Sequence, residues 1–438
     1  MSGPVPGTPR LLRAINDRAA LRLLLERGPL TRPELGALTG LSKPTASQLL
    51  SRLRATGLVV LDGVRGGLPG RTAEVYRING EAAYAAALDV TPGRIEARVA
   101  DLTGTVVGEH VLESPGGDLI GRLRAALHGA RPPAPPRHVV IGVQAALDPA
   151  TGRLGYATVR DMPGWHIDDL VPELSRGLGV PVSVENDVNL AALAEQSRGA
   201  AAGIPDFVLL WADAGIGSAI VLGGRLHRGA TGGAGEVGYM PAPGAPTARD
   251  TGPYADHGFQ ALSGGAAVLR VLRRHGIPGT DLRETLTNAA HAATPARPDD
   301  PSTTAGPAGA YGIKRANGVT ADGGAGAVSA GVAAAALREV AGRLAVGLAA
   351  ITSVMDPALI VLAGAVPMAG GEPLRRLIEE ELHALTIPRP RVRLSRVAGN
   401  PVLAGALDLA LATVRDEVLD STGVTGSPAF DSGAGVTE

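Results

Sequence analysis

The 438 residues exceed what one small domain holds and predict two or three compact units. Hydrophobic residues make up 45% but aromatics only 3%, so the core must be built from Ala, Val and Leu, and with no cysteine the chain excludes disulfides and thiolate metal sites. A formal net charge of −1 conceals an asymmetry, since residues 1–80 carry 12 Arg and Lys against 5 Asp and Glu, a basic head on an acidic body that predicts a polyanionic partner for the head.

In the head, Leu21, Leu24 and Leu25 give a first helix a buried stripe, ended by Gly28-Pro29. Thr31 to Glu34 reads as a capping box that opens a short helix through Leu38, and Thr39-Gly40-Leu41 as a tight turn. Ser42 then caps a third helix whose Ala46, Leu49, Leu50 and Leu53 fall at i, i+3, i+4 and i+7. Short helix, glycine turn and longer helix make a helix-turn-helix. Ser42, Lys43, Thr45, Gln48 and Arg52 are assigned to its polar face, near the helix N-terminus, with chemistry suited to base edges and phosphates. The run "LVVLDGVRGGLPGRTAEVYRI" follows as two strands joined by a Gly-rich tip, a wing able to lay Arg65 and Arg71 along DNA. Residues 9–80 are therefore expected to be a winged helix-turn-helix DNA-binding domain.

The body, residues 82–420, begins with a three-stranded meander turning at Pro92-Gly93 and Thr103-Gly104. A helix near Asp118–Gly129, the strand "HVVIGV", a helix around Ile167–Leu178 and a strand ending at Asn186 follow. Asn186 can cap the next helix, which leaves Asp187 at a strand–helix junction, where ligands of open α/β sheets bind. A carboxylate there could take a proton from a hydroxyl, hold a hydroxyl, or only favour the helix N-terminus electrostatically. A second set starts with a hairpin at Ala214-Gly215. It continues through long helices near Phe259–His275 and Ser329–Val354, the latter read as core in preference to dimer contact, and the strand "ALIVLAG". A helix near Pro373–Leu385, the strand "RVRLS" and a helix from Pro401 to about Leu419 complete it. The repeated meander–helix plan predicts two α/β lobes with a cleft between them.

"SKPTASQLLSRL", "MPGWHIDDL", "VENDVNLAALAE", "GGRLHRGATGGAGEVGYMP" and "MDPALIVLAG", in this order, resemble the ROK family (repressors, open reading frames and sugar kinases) in its winged-helix regulator branch. The resemblance runs from about Thr31 to Leu419. It implies a two-lobed actin-like ATPase fold with a sugar site in the cleft. The aspartate matching Asp187 is the catalytic base of the family's kinases and a sugar ligand of its repressors. Asn186 and Glu236 match further sugar contacts, Gln260 falls near a later one, and Tyr239 stands where the family places a zinc-binding histidine.

The kinase parts of that pattern are altered. Where the family's first phosphate loop runs Asp-x-Gly-Gly-Thr, this chain has Asp89-Val90-Thr91-Pro92-Gly93, and Pro92 lacks an N–H donor. The second loop reads Asp213-Ala214-Gly215-Ile216-Gly217, putting a negative charge where phosphates would lie, and the adenosine-side pair of glycines has become Ala363-Gly364. The zinc site lacks its three cysteines; Asp256 and His257 alone make no tetrahedral site, so no metal or other cofactor is expected. Tyr239 and Gln260 can still hydrogen-bond a ligand.

A stretch of Pro, Gly, Ala and Thr at about 293–328, and the tail 421–438, read as disordered. With no apolar run long enough for a membrane span and no signal-peptide pattern, a cytoplasmic location is expected. The sequence thus points to a sugar-responsive transcriptional regulator, a repressor, acting as a homodimer or higher oligomer on a double-stranded operator. The alternatives are an active sugar kinase with a DNA-binding head and a DNA-binding dimer with a vestigial cleft.

Overall fold

The computed structural model describes residues 9–66, 72–113, 118–155, 162–252, 256–294 and 328–421. They divide into two compact units, one holding the chain up to Ala194 with Ala230–Gly232 and everything from Gly399, the other Glu195–Gly229 and Gly233–Ala398. The division falls within the body expected at 82–420, and the head shares a unit with the first lobe.

The head comprises α1 (Pro9–Arg27), β1 (Leu30–Thr31), α2 (Arg32–Thr39), α3 (Lys43–Ala55), β2 (Val59–Gly66) and β3 (Thr72–Ile78). Thr31 and Glu34 form the capping box, each side chain accepting the other's backbone N–H, and Gly40 ends α2 in the left-handed region. Leu21, Leu24, Leu35, Leu49, Leu50 and Leu53 are buried together with Val59, Val75 and Ile78 of the sheet. The sheet runs β1-β3-β2, all antiparallel. Two residues of β1 are too few to show a period in the sequence. The wing tip with Arg71 lies outside the described residues.

A 3₁₀ turn, Gly80–Ala82, leads into β4 (Tyr84–Val90), β5 (Arg94–Asp101), β6 (Val106–Glu113), α4 (Leu119–Gly129) and β7 (His138–Val143). The small pair β8 (Ala146–Leu147) and β9 (Leu154–Gly155), then α5 (Leu170–Leu178), β10 (Val182–Asn186) and α6 (Asp187–Arg198) follow. The sheet order is β10-β7-β4-β5-β6, parallel from β10 to β4 and antiparallel beyond. Leu88, Val139 and Ile141 face α4 and α5, meeting Leu123 and Leu174 in one core.

The second unit carries β11 (Phe207–Ala212), β12 (Ile216–Leu222), β13 (Arg225–His227), α7 (Ala248–Thr251), α8 (Gly258–Ser263), α9 (Gly265–Arg274) and α10 (Leu282–Ala293). It ends with α11 (Ala330–Met355), β14 (Leu359–Ala363), α12 (Ala365–Leu385) and β15 (Arg391–Leu394). Its sheet, β13-β12-β11-β14-β15, repeats the first unit's topology: a meander whose first strand pairs in parallel with the next strand of the sheet. Val208, Leu210, Ile360 and Leu362 pack against Leu337, Leu344 and Leu348 of α11 and Ile378 of α12, so α11 is a core helix.

Three helix boundaries differ from expectation. The single helix anticipated over 259–275 breaks at Gly264, whose ψ of 159 is extended. The helix anticipated from Pro373 begins at Ala365 and breaks at Gly371, φ 58, after which Pro373 starts the second part. α10 has no counterpart among the expected elements. Most of the 293–328 insertion and all but the first residue of the 421–438 tail lie outside the described residues.

The chain returns to the first unit as α13 (Pro401–Ser421), which packs on β4 and β7. The strand positions alternating with the α4-facing set are small here, Ala85 and Ala87 on β4 and Gly142 on β7, and a Cβ at Gly142 would press on both Leu190 of α6 and Val402 of α13. Gly405 is tighter still, since a Cβ there would overlap the carbonyl oxygen of Leu190. We expect Gly405→Ala to force α6 and α13 apart and cost about 1–3 kcal/mol, read as a lower urea midpoint at unchanged m-value.

Candidate functional site

Residues of three kinds were singled out by sequence: a polar face on α3, an Asn-Asp corner before α6, and three side chains of the second unit. Ser42 caps α3, its hydroxyl accepting the Thr45 N–H and meeting the Thr45 hydroxyl at 2.8 Å. Lys43, Thr45, Gln48 and Ser51 are exposed while Ala46, Leu49, Leu50 and Leu53 of the same helix are buried. The helix therefore presents its polar N-terminal half outward from a fixed core.

Two of the proposed DNA contacts are engaged elsewhere. Arg52 is bonded to the buried Asp17 of α1, Nη2 to Oδ1 at 2.6 Å, so its guanidinium fastens α3 to α1. Period placed Arg52 beside the polar face, but a buried carboxylate requires a partner, and Arg52 is the one in reach. Arg65 pairs with Glu34 of α2 at 2.9 Å, both side chains about half exposed, a contact that phosphate can displace. Arg32, not singled out earlier, sits on this surface between Ser47 and Glu74.

At the strand–helix junction, Asn186 caps α6 by accepting the Asn189 N–H at 3.1 Å and donates to the Ala145 carbonyl at 3.4 Å. Asp187 is half-buried, with Oδ1 accepting the Val188 N–H at 2.8 Å. Beneath them, buried Glu185 accepts from the Asn186 N–H and from the Asn189 side chain, at 3.0 and 2.9 Å. Glu185 and Asn189 were missed by sequence reasoning, although in "VENDVN" they stand on either side of the Asn-Asp pair, beside buried Val184 and Val188. Together they brace Asn186 at the corner, one residue before Asp187.

In the second unit, Glu236 begins the 3₁₀ turn Val237–Tyr239. The turn lies hard against β12. Gly235, at φ 101, is pressed onto Ser218, and a Cβ at Gly238 would stand 2.7 Å from the Ile216 carbonyl oxygen. Half-buried Glu236 has no hydrogen bond to its carboxylate among the described residues, and burial pushes its pKa up to about 7. Tyr239 is stacked obliquely near His257, ring centroids 5.4 Å apart. Gln260 has a different task from the one expected of it: its amide accepts the Ile216 N–H at 2.8 Å and donates to the Ala214 carbonyl at 3.0 Å, pinning the hairpin turn whose backbone groups would otherwise lack partners.

The altered loops are also engaged internally. Asp213 accepts from the Ala214 N–H at 2.8 Å and from the Ala365 N–H, at the start of α12, at 3.1 Å. Asp89 is buried, and desolvation raises its pKa against an opposing hydrogen bond from Asn400 at 2.7 Å. The Thr91 N–H and hydroxyl both close onto the Arg94 carbonyl. The donor set does not fit a zinc ion: Tyr239 packs near His257, the chain has no cysteine, and no group of three His, Cys, Asp or Glu able to hold a metal occurs among the described residues.

Residues 85–293 match the ROK family and residues 15–66 the MarR family. The chain thus carries a MarR-type winged helix ahead of a ROK family domain with an actin-like fold. It is 27% identical over 234 residues to the xylose repressor of Bacillus spizizenii, covering 52% of this chain and 61% of that one. The chain thus spans about three fifths of the length of the curated repressors it matches. Among solved structures, a ROK family transcriptional regulator, a homolog of the E. coli MLC protein, superposes with a TM-score of 0.65 over 95% of this chain and 100% of its own, at 18% identity, a likeness of fold. The ROK hexokinase of Thermus thermophilus superposes with a TM-score of 0.56 over 76% of this chain and 100% of its own, at 26% identity. No helix among the described residues is long and apolar enough to cross a membrane.

Glu236 offers a direct test. Its pKa, raised from 4.5 to about 7, means the folded chain keeps a proton there that the unfolded chain releases. Stability is unaffected below about pH 4.5, falls as pH rises toward 7, and stays reduced above it. Glu236→Gln should therefore melt close to wild type near pH 5 and a few degrees above it at pH 8. The same gap at both pH values would show that the carboxylate is not desolvated.

Proposed function

We propose that this chain is a sugar-responsive DNA-binding transcriptional regulator, a repressor, that binds an inverted-repeat operator as a homodimer and is released when a sugar binds Asp187. The observation that carries the reading is the α3 helix, capped by Ser42 and locked by its buried leucines, with Lys43, Thr45 and Gln48 turned to solvent. Xylose repressors among the relatives support the repressor function and make D-xylose the first effector to try, and glucokinase relatives make D-glucose the second. Asn186, Asp187 and Glu236 are the proposed sugar ligands, and Tyr239 an accessory one. Gln260 contributes by holding the Ala214–Ile216 turn.

The kinase reading has support in the hexokinase relative, but the interior of the second unit argues against it. A phosphate seated at the N-terminus of α12 would need the amide that Asp213 already occupies, and would meet the Asp213 charge. We therefore propose that the body binds sugar without phosphorylating it. The chemistry left to Asp187 is to accept a hydrogen bond from a sugar hydroxyl.

Gln48→Ala should weaken binding to a selected operator by about 1–3 kcal/mol, leave nonspecific binding nearly unchanged and leave the melting temperature unaltered. Arg52→Ala should instead lower the melting temperature, because it leaves the buried Asp17 without its partner. Fluorescence anisotropy with operator and scrambled duplexes, beside a melt of each protein, separates the two. Full operator affinity in the Gln48 variant would move the recognition surface off this face of α3.

Asp187→Ala should need at least about ten times more sugar for release, with sugar-free operator affinity within a few-fold of wild type. Titration of D-xylose and D-glucose into both proteins by calorimetry reads this. An unchanged dissociation constant would remove Asp187 from the site. Turnover of ATP with either sugar, lost in the Asp187→Ala protein, would restore the kinase reading.

A further inference from the structure

The first unit contains a continuous set of contacts between the Asp187 corner and the DNA-binding helix. We propose that α13 is the rod that transmits sugar occupancy to the head, and that Arg18 of α1 is its coupling contact. The proposal rests on the functional reading above and concerns regulation of the same site.

The chain of contacts has four links. Leu190 lies one turn into α6 behind Asp187, and its carbonyl is in direct backbone contact with Gly405 near the start of α13. A shift of α6 therefore cannot be absorbed by side-chain rotation at that crossing. At the same end of α13, Asn400 caps the helix by accepting the Leu403 N–H and donates to Asp89. The helix then runs 21 residues, about 30 Å at 1.5 Å per residue, to its far end. There Asp416 and Asp420, one turn apart, flank Arg18 at 3.6 and 2.7 Å. The neighbouring Asp17 holds Arg52 of α3. Motion at the Asp187 corner is thus carried from backbone to helix, from helix to Arg18, and through α1 to the helix that faces DNA.

The strengths of these contacts are graded in a way that suits a switch. The α6–α13 crossing is buried and tightly packed, and Asp17 is buried, so both behave as rigid joints. The Arg18 pair is solvent-exposed, with side-chain exposures of 41%, 66% and 65%, and exposed pairs contribute little to stability. A contact of that kind can be made and released by the modest free energy of sugar binding, whereas a buried ion pair could not. Arg415, on the same turn as Asp416, donates to the Leu102 and Thr103 carbonyls and keeps the far end of α13 seated on its own sheet, leaving Arg18 as the element that moves.

The test uses full-length protein, a duplex selected from a random pool, and D-xylose and D-glucose as probes. Wild type should lose at least about tenfold in operator affinity with one of the sugars. Arg18→Glu, which faces both aspartates with a like charge, should lose less than about threefold, while its sugar-free operator affinity and its sugar dissociation constant stay within a few-fold of wild type. The charge-reversed combination Arg18→Glu with Asp420→Arg should recover the wild-type response, and the unchanged sugar-free operator affinity of Arg18→Glu separates coupling from a merely structural role. Hydrogen exchange supplies an arm that needs no sugar: operator binding should alter exchange in α6 of wild type and not of Arg18→Glu, because coupling is reciprocal. An Arg18→Glu protein with wild-type sugar response and wild-type exchange overturns the coupling proposal alone. A wild-type protein that selects no duplex overturns the functional reading, and the coupling with it.

Discussion

The backbone contact between Gly405 and Leu190 is the constraint on which the first unit depends. Two helices can approach that closely only where one supplies no Cβ, and the sheet beneath them supplies Ala85, Ala87 and Gly142 to match. The low aromatic content of the chain has its structural meaning here. Small residues let α6 and α13 settle on the sheet, and that seating fixes Asp187 at one end and the Arg18 contact at the other. Without the close crossing, the polar corner and the head would be two features of one unit with no rigid element between them.

Much of the fold was legible because its signals are local. The capping box at Thr31, the Ser42 cap and the leucine spacing of α3 each act within a few residues, and the structure reproduces them. The repeated meander was visible from alternation alone, and both five-stranded sheets follow the expected plan. Less was legible where a partner lies far along the chain. Arg52 meets Asp17 from 35 residues away, and Gln260 meets the Ala214–Ile216 turn from more than 40. Periodicity tells which face of a helix is buried; it does not tell which polar residue at the border will find a distant charge or an unpaired amide. The break at Gly371 was hidden for a related reason. Pro373 looks like the first residue of a helix because it is one, and nothing local shows that another helix ends just before it.

Four acidic side chains differ in how their burial is compensated. Glu195 is completely buried and accepts from the Ser395 hydroxyl and from the Ala200, Arg396 and Val397 N–H groups, so its charge is matched on every side. Asp213 is matched by two backbone amides, and Asp89 in part by Asn400. In each case the protein itself supplies the partner, and a ligand would have to displace it. Glu236 differs. Its turn is held against β12 by glycines that admit no larger residue, its carboxylate is desolvated, and no neighbour among the described residues bonds it. Burial without a partner raises the Glu236 pKa, and a ligand hydroxyl donating to it would supply the missing hydrogen bond. A half-buried acid without a bonded neighbour among the described residues is the observation behind proposing Glu236, rather than the better-bonded acids, as a ligand contact.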